Sequence, residues 1–329
     1  MTRRASSNGP AGLAKRVMDG DPAATGRALS CMINESDGFE DLTRQFFLKA
    51  GSSHKIGISG PPGSGKSSLV SRLVSHYRKK KERIGVLAVD PTSPYTGGAF
   101  LGDRLRVQEH ALDPGVFFRS MGSRGMVGGL SSTIFGAIHV LEAYGCDRIL
   151  IETVGTGQDE VEISRVADTI VYVTTPSLGD EIQAMKAGVM EVADVFAVNK
   201  CELPGADKAI AHLKSALDLG GRGRPGWASP VVGVSALTNK GVGDLLATAL
   251  EEHRAHLEAS GEGAARRRIQ LREELSLFIS KRLYQDTLSQ ISQEHLDRLR
   301  DKKTDPVTLG LELIRRLERP KARAAGGRR

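Results

Sequence analysis

Apolar residues along this chain of 329 change their spacing near residue 53. Before it, in "GLAKRVMDGDPAATGRALSCMINES" and "FEDLTRQFFLKAG", they recur at helical intervals, with Pro22 suited to a helix start and Gly51 to a stop. After it, short and almost continuously apolar runs alternate with longer helical patterns. The runs predict strands at 55–59, 84–90, 115–120, 147–153, 169–175, 195–199 and 231–235. Helices are expected near 66–80, 129–144, 180–191, 206–218 and 241–257. Strands without polar alternation are those covered on both faces, so the pattern predicts an α/β fold with a doubly wound, mostly parallel sheet. From about 264 the chain is helical and charged. Ile269, Leu271, Leu275, Phe278, Ile279 and Leu283 fall close to one stripe, and Asp305 with Pro306 marks the start of a last helix. The expected organisation is a helical extension over 1–52, a nucleotide domain over 53–260 and a helical region with a basic tail over 261–329.

Chemistry enters at the end of the first strand. In "ISGPPGSGKSSLV" the sequence Gly60-x-x-x-x-Gly65-Lys66-Ser67 follows an apolar run and opens a helix. Glycines there let backbone N–H groups converge on phosphates, and the helix N-terminus adds its positive end. Lys66 is expected to reach the β- and γ-phosphates and Ser67 to sit on Mg²⁺. Pro62, Gly63, Ser64 and Ser68 complete the loop. A Mg²⁺ site needs an acid at the end of a neighbouring strand. Asp90 and Glu152 both end apolar runs, where an unused charge is costly. Either alone also fits a loop or cap acid; both together fit a metal site better. Glu152 is followed three residues later by Gly155, the spacing of a loop whose N–H meets a γ-phosphate. Gln158 stands where it would orient water, a place an idle exposed Gln also fits.

Asn199-Lys200-Cys201-Glu202 ends another strand. An Asn amide, a Lys stem and a carboxylate in that order read guanine, but the expected acid is Asp and this chain has Glu. By itself the motif leaves ATP open. With the phosphate loop, the Glu152–Gly155 pair and Ser235-Ala236-Leu237 following in order, GTP and GDP are the expected nucleotides.

The chain carries 46 Lys and Arg against 39 Asp and Glu, a formal net charge of +7. Its basic runs at 79–83, 266–268 and 319–329 are not interleaved with aromatics, which make up 5% of residues. No stacking platform for a single-stranded nucleic acid is evident, and solvated helix ends explain the charge. No apolar run approaches the ~20 residues of a membrane span. Cys31, Cys146 and Cys201 are scattered, as expected of reduced thiols in a cytoplasmic protein.

At this point the sequence resembles the MeaB/ArgK-type GTPases that chaperone cobalamin-dependent acyl-CoA mutases. The resemblance rests on "GPPGSGKSSL", "AVDPTSPYTGGAFLGDRLR", "FFRSMGSRGMVGGLS", "ILIETVGTGQDEVEI" and "TTPSLGDEIQAMKAGVMEVADVFAVNK", and covers nearly the whole chain. It implies that Asp90, Asp103 and Glu152 surround Mg²⁺ with Ser67. It also implies that 92–106, including Arg106, forms a first switch and the segment after Gly155 a second. Asp180, Glu181, Gln183 and Lys186 would signal to the mutase. The resemblance implies a homodimer built on the C-terminal helices. It implies a cobalamin that belongs to the client mutase and is delivered from an adenosyltransferase. The competing reading is a P-loop ATPase or kinase associated with amino-acid transport.

Overall fold

The computed structural model describes residues 9–49, 51–90, 110, 112–122, 133–153, 162–178, 187–220 and 226–318. Three helices lead in, α1 (Pro10–Met18), α2 (Pro22–Asn34) and α3 (Phe39–Lys49). Asp21 separates the first two: its carboxylate accepts from the amides of Ala23 and Ala24 at 2.9 and 3.0 Å, with Pro22 at the first helical position. All seven expected strands form, their ends shifted by no more than a residue or two: β1 (His54–Ser59), β2 (Ile84–Asp90), β3 (Val116–Gly122), β4 (Arg148–Thr153), β5 (Thr169–Thr174), β6 (Val195–Val198) and β7 (Val231–Gly233). Between them run α4 (Lys66–Lys79), α5 (Thr133–Tyr144), α6 (Ala187–Val192) and α7 (Ala206–Gly220). Beyond β7 a π-helical turn, Val242–Leu246, opens into α8 (Ala247–Ser260), followed by α9 (Glu262–Leu288), α10 (Gln293–Arg300) and α11 (Pro306–Glu318).

The strands form one parallel sheet in the order β3-β2-β4-β1-β5-β6-β7. On one face α4, the π turn and α8 bury Leu69, Leu73, Val74, Leu246 and Leu250 against Ile56, Ile58, Val171 and Val173. On the other, α5 is buried along nearly its whole circumference. A helix apolar all round needs cover on every side. The sheet provides one side: a Cβ on Gly85 would stand 2.7 Å from Leu141. The lead-in helices provide another, and a Cβ on Gly136 of α5 would stand 2.8 Å from Met32 of α2. These helices therefore form an outer layer of the domain rather than a free arm.

Two compact units divide the chain, Met1–Gln270 and Leu271–Arg329. The first turns of α9 belong to the first. There Arg266 donates to both carboxylate oxygens of the fully buried Asp194 at 2.8 and 2.9 Å, and Gln270 donates to the Ala167 carbonyl at 3.2 Å. In the second unit Asp305 caps α11, accepting from Val307 and Thr308 amides at 2.9 Å. Among the described residues no helix is long and apolar enough to cross a membrane.

Beneath the N-terminal edge of the sheet lies an ordered chain of hydrogen bonds. The Arg148 guanidinium faces His54 Nδ1 at 3.3 Å, which leaves Nε2–H to donate to the Thr169 hydroxyl at 2.7 Å. Thr169 in turn donates to His253 Nδ1 at 2.8 Å, and His253 Nε2 faces Asp194 at 3.3 Å. Burial pushes His54 down to about 3, assisted by Arg148, Arg254 and His253 and opposed by Asp168. A histidine neutral in the folded chain and protonated in the unfolded one below about pH 6.5 makes stability fall as pH falls. Between pH 7 and pH 5 this group should remove about 2 kcal/mol. Urea denaturation at both pH values tests this: His54→Gln should flatten the dependence, and an unchanged slope would contradict it.

Candidate functional site: a nucleotide cleft at the carboxyl ends of the strands

The loop between β1 and α4 is shaped by the strands that press on it. Gly60 has φ 139°, and a Cβ there would stand 2.1 Å from the Val173 carbonyl oxygen of β5. Gly65 has φ 89°, and its Cβ would stand 2.4 Å from Asn199 Nδ2 beyond β6. Both positions require glycine for conformation and for space. Lys66 opens α4 with its side chain buried, its ammonium on the carbonyls of Gly60 and Pro61 at 2.7 and 3.0 Å. Gly63 has φ 76° with open space beside it. Ser64 is fully buried, and its hydroxyl finds no hydrogen-bond partner among the described residues. Positive φ values, a helix N-terminus, a lysine and an orphaned hydroxyl together form an anion cradle that fits a polyphosphate.

Strand order separates the two candidate acids. β4 lies directly beside β1, with Ile58 paired to Glu152, and the next pairing sets Glu152 beside Ala88 of β2. Glu152 thereby reaches Ser67, whose hydroxyl contacts its carboxylate. A hydroxyl and a carboxylate at the foot of a phosphate cradle suit a small hard cation such as Mg²⁺, which takes few protein ligands and completes its shell with phosphate and water. Among the described residues no three His, Cys, Asp or Glu side chains gather into a metal cluster. The backbone of Asp90 ends β2, one strand further from β1, and its side chain lies outside the described residues. Asp103, Arg106, Gly155, Gln158, Asp180, Glu181, Gln183 and Lys186 lie outside them too.

The base end is built on β6. Asn199 is buried; its Nδ2 donates to the Ser64 carbonyl at 2.8 Å and its Oδ1 accepts from the Ala236 amide at 3.0 Å. Lys200, at φ 60°, lays its stem along the cleft and donates to the Gly63 carbonyl at 2.9 Å. Glu202 is exposed. Its carboxyl is held below the usual carboxylate range, first by a hydrogen bond from the Ser235 hydroxyl, then by its own backbone N–H and by Lys200. Ala236 and the largely exposed Leu237 form the opposite wall. Together these residues line a cleft of about 480 Å³, open to the phosphate loop through Gly65 and Ser68 and within the size range of small-molecule sites.

The fold brings together the phosphate loop, Glu152, Asn199, Lys200, Glu202 and Ser235-Ala236-Leu237, residues that span 178 positions of chain, from 60 to 237. Two participants escape a reading of the sequence. The Ser235 hydroxyl, not only the backbone of its loop, holds Glu202. Arg72 of α4 donates to the Ala236 carbonyl at 2.9 Å. No local motif marks that arginine, because its partner lies 164 residues away.

Similarity to known proteins agrees with this geometry. Residues 29–292 match the family model described as methylmalonyl-CoA mutase-associated GTPase MeaB. A protein of Pyrococcus abyssi named as a GTPase is 47% identical over 270 residues, spanning 82% of this chain and 83% of that one. The GTPase ArgK of Escherichia coli is 31% identical over 86% of this chain and 87% of its own. The mitochondrial methylmalonic aciduria type A homolog of Mus musculus is 36% identical over 66% of this chain and 52% of its own. Among solved structures, one titled LAO/AO transport system kinase aligns with a TM-score of 0.69 over 97% of this chain and all of that one; at 22% identity this likeness concerns the fold alone. The chain belongs to the MeaB family of methylmalonyl-CoA mutase-associated P-loop GTPases and is an enzyme that hydrolyses GTP.

Proposed function

We propose that this GTPase is a chaperone of a cobalamin-dependent acyl-CoA mutase, its nucleotide state gating adenosylcobalamin loading and protecting the mutase from inactivated cofactor. The observation that carries the reading is the family match over 29–292, which takes in the nucleotide domain and runs on into the C-terminal helices. Methylmalonyl-CoA mutase or a relative such as 2-hydroxyisobutyryl-CoA mutase is the client, the cobalamin is the client's, and an adenosyltransferase supplies it. Work in the cytoplasm suits this role.

Within the chain, Lys66 and the loop amides grip the phosphates while Ser67 and Glu152 hold Mg²⁺, with Asp90 and Asp103 completing its surroundings. Mg²⁺ held there would supply positive charge to the phosphate oxygens. Gln158 orients the attacking water, and Gly155 and Arg106 respond to the γ-phosphate. β5 offers a route to the client: it passes Gly60 at Val173 and ends at the Pro176–Leu178 turn. Asp180, Glu181, Gln183 and Lys186 follow that turn in sequence and are the proposed contacts. By linkage, a mutase that prefers one nucleotide state must change the affinity for that nucleotide in return.

Guanine selection falls to Asn199, Lys200 and Glu202. Guanine offers N1–H and a 2-amino group to a carboxylate where adenine offers neither. The Ser235 anchor supports Glu202 in the place usually taken by Asp. Residues 271–329 are proposed to form the homodimer contact. Leu275, Phe278, Ile279, Leu283 and Leu288 are about half exposed along α9, an apolar stripe of the kind that marks an interface.

Three measurements test these assignments. Slow GTP hydrolysis by the purified chain should accelerate at least ~10-fold, about 1.4 kcal/mol of barrier, on adding the cognate mutase; no acceleration by any acyl-CoA mutase would leave a GTPase without a chaperone role. In nucleotide competition the parent should prefer GDP to ADP. Glu202→Ala should lose about tenfold of that preference while Glu202→Asp keeps it or improves it; an Ala variant that discriminates like the parent would remove Glu202 as reader. Sedimentation should give a dimer for the parent and a monomer for Phe278→Asp combined with Leu283→Asp, with GDP binding intact; a monomeric parent would refute the interface.

A further inference from the structure

Arg72 stands on the second turn of α4, half-buried, and lines the base cleft with Ser68, Ser71 and Leu237. Its Nε donates to the Ala236 carbonyl at 2.9 Å. The amide of the same Ala236 donates to Asn199 Oδ1 at 3.0 Å. Both backbone polar groups of one loop residue are therefore engaged, by two different parts of the fold. Asn199 donates onward to the Ser64 carbonyl at 2.8 Å, and Ser64 stands in the phosphate loop that opens α4. The contacts close a ring: phosphate loop, Asn199, Ala236, Arg72, and back along α4. Beyond Ala236 the loop is tied mainly to itself, with the Thr238 amide on the Ser235 hydroxyl at 3.1 Å. Leu237 is 76% exposed, Asn239 has φ 62°, and a single antiparallel bridge pairs Ser235 with Lys240.

We propose that Arg72 is a positioning residue for guanine selection, holding Ala236 where its loop meets the 6-position of the base. This rests on the guanine reading given above. Guanine presents a carbonyl acceptor at that position and adenine an amino donor. The Ala236 N–H is taken by Asn199, so the donor is the next backbone N–H of the loop, that of Leu237; held at a constant depth in the cleft, it favours the first and repels the second. A loop free to retreat loses that contrast. The phosphates, gripped by Lys66 and the loop amides, are unaffected. Arg72 and Glu202 act on different edges of the base: Arg72, through Ala236, on the 6-carbonyl, and Glu202 on N1–H and the 2-amino group.

The test compares GDP, IDP and ADP binding by the full chain with Arg72→Met and Arg72→Lys variants. IDP keeps the 6-carbonyl and lacks the 2-amino group. Arg72→Met retains the stem and removes the donors. It should weaken GDP and IDP alike by about five- to twentyfold, as expected from losing the charged hydrogen bond on the Ala236 carbonyl, and leave ADP within about twofold. The GDP-to-ADP ratio then falls while the GDP-to-IDP ratio holds. Arg72→Lys, with its stem and a donor, should recover part of the GDP affinity. A merely structural role predicts equal loss for all three nucleotides, and that result overturns the proposal. So does an Arg72→Met variant with the parent's GDP-to-ADP ratio. If Arg72→Met does not fold, Arg72→Lys and Arg72→Gln carry the same comparison. A parent that binds ADP as tightly as GDP would instead defeat the guanine reading itself, and that outcome is visible without any variant.

Discussion

One buried amide joins the two halves of the nucleotide cleft. Asn199 donates to the Ser64 carbonyl of the phosphate loop and accepts from the Ala236 amide of the base loop. These loops come from opposite ends of the nucleotide domain, and β6 sets the amide between them. An Asn side chain suits the task because it carries a donor and an acceptor a short distance apart on one rigid group. It also dictates its neighbours. Gly65 has no Cβ because Asn199 Nδ2 occupies that space, and the Lys200 ammonium falls beside Gly63 because the residue before it is pinned. A buried polar group left without partners is costly, so the two loops hold their spacing before any nucleotide arrives.

A second polar centre, at the opposite edge of the sheet, explains how a cleft made from loops acquires a rigid base. Asp194 is wholly buried, yet it accepts from Arg266 and from the Ile170 amide, with His253 Nε2 3.3 Å away. Replacing one partner would leave an uncompensated buried charge. The clamp joins the starts of β5 and β6 to the first turns of α9. Those two strands deliver Val173 and Asn199 to the phosphate loop at their far ends. Strand register therefore carries the geometry from one edge of the sheet to the other.

The five inner strands, β1, β2, β4, β5 and β6, were legible because burial on both faces writes a nearly unbroken apolar run into the sequence, and the partly buried edge strands β3 and β7 keep enough of that run to be read. The phosphate loop was legible because its glycines answer a local backbone demand. The role of the lead-in helices was not. Their helical spacing reads equally well for a detached arm, and it is the apolar circumference of α5, far along the chain, that draws them into the domain. Glu202 posed a different limit. Its carboxyl pKa is lowered chiefly by the Ser235 hydroxyl, which the alphabet of a four-residue motif does not contain.

Sequence by itself determined the α/β class, the parallel sheet and the phosphate loop, since each follows from residues within a few positions of one another. Tertiary structure alone decided that Glu152 meets Ser67, that Ser235 lies beside Glu202 and that Arg72 meets Ala236. Those choices depend on strand order, β4 between β1 and β2, and on contacts between residues 33 to 164 positions apart. Such contacts are set by how the sheet is wound, and no local pattern of side chains records it.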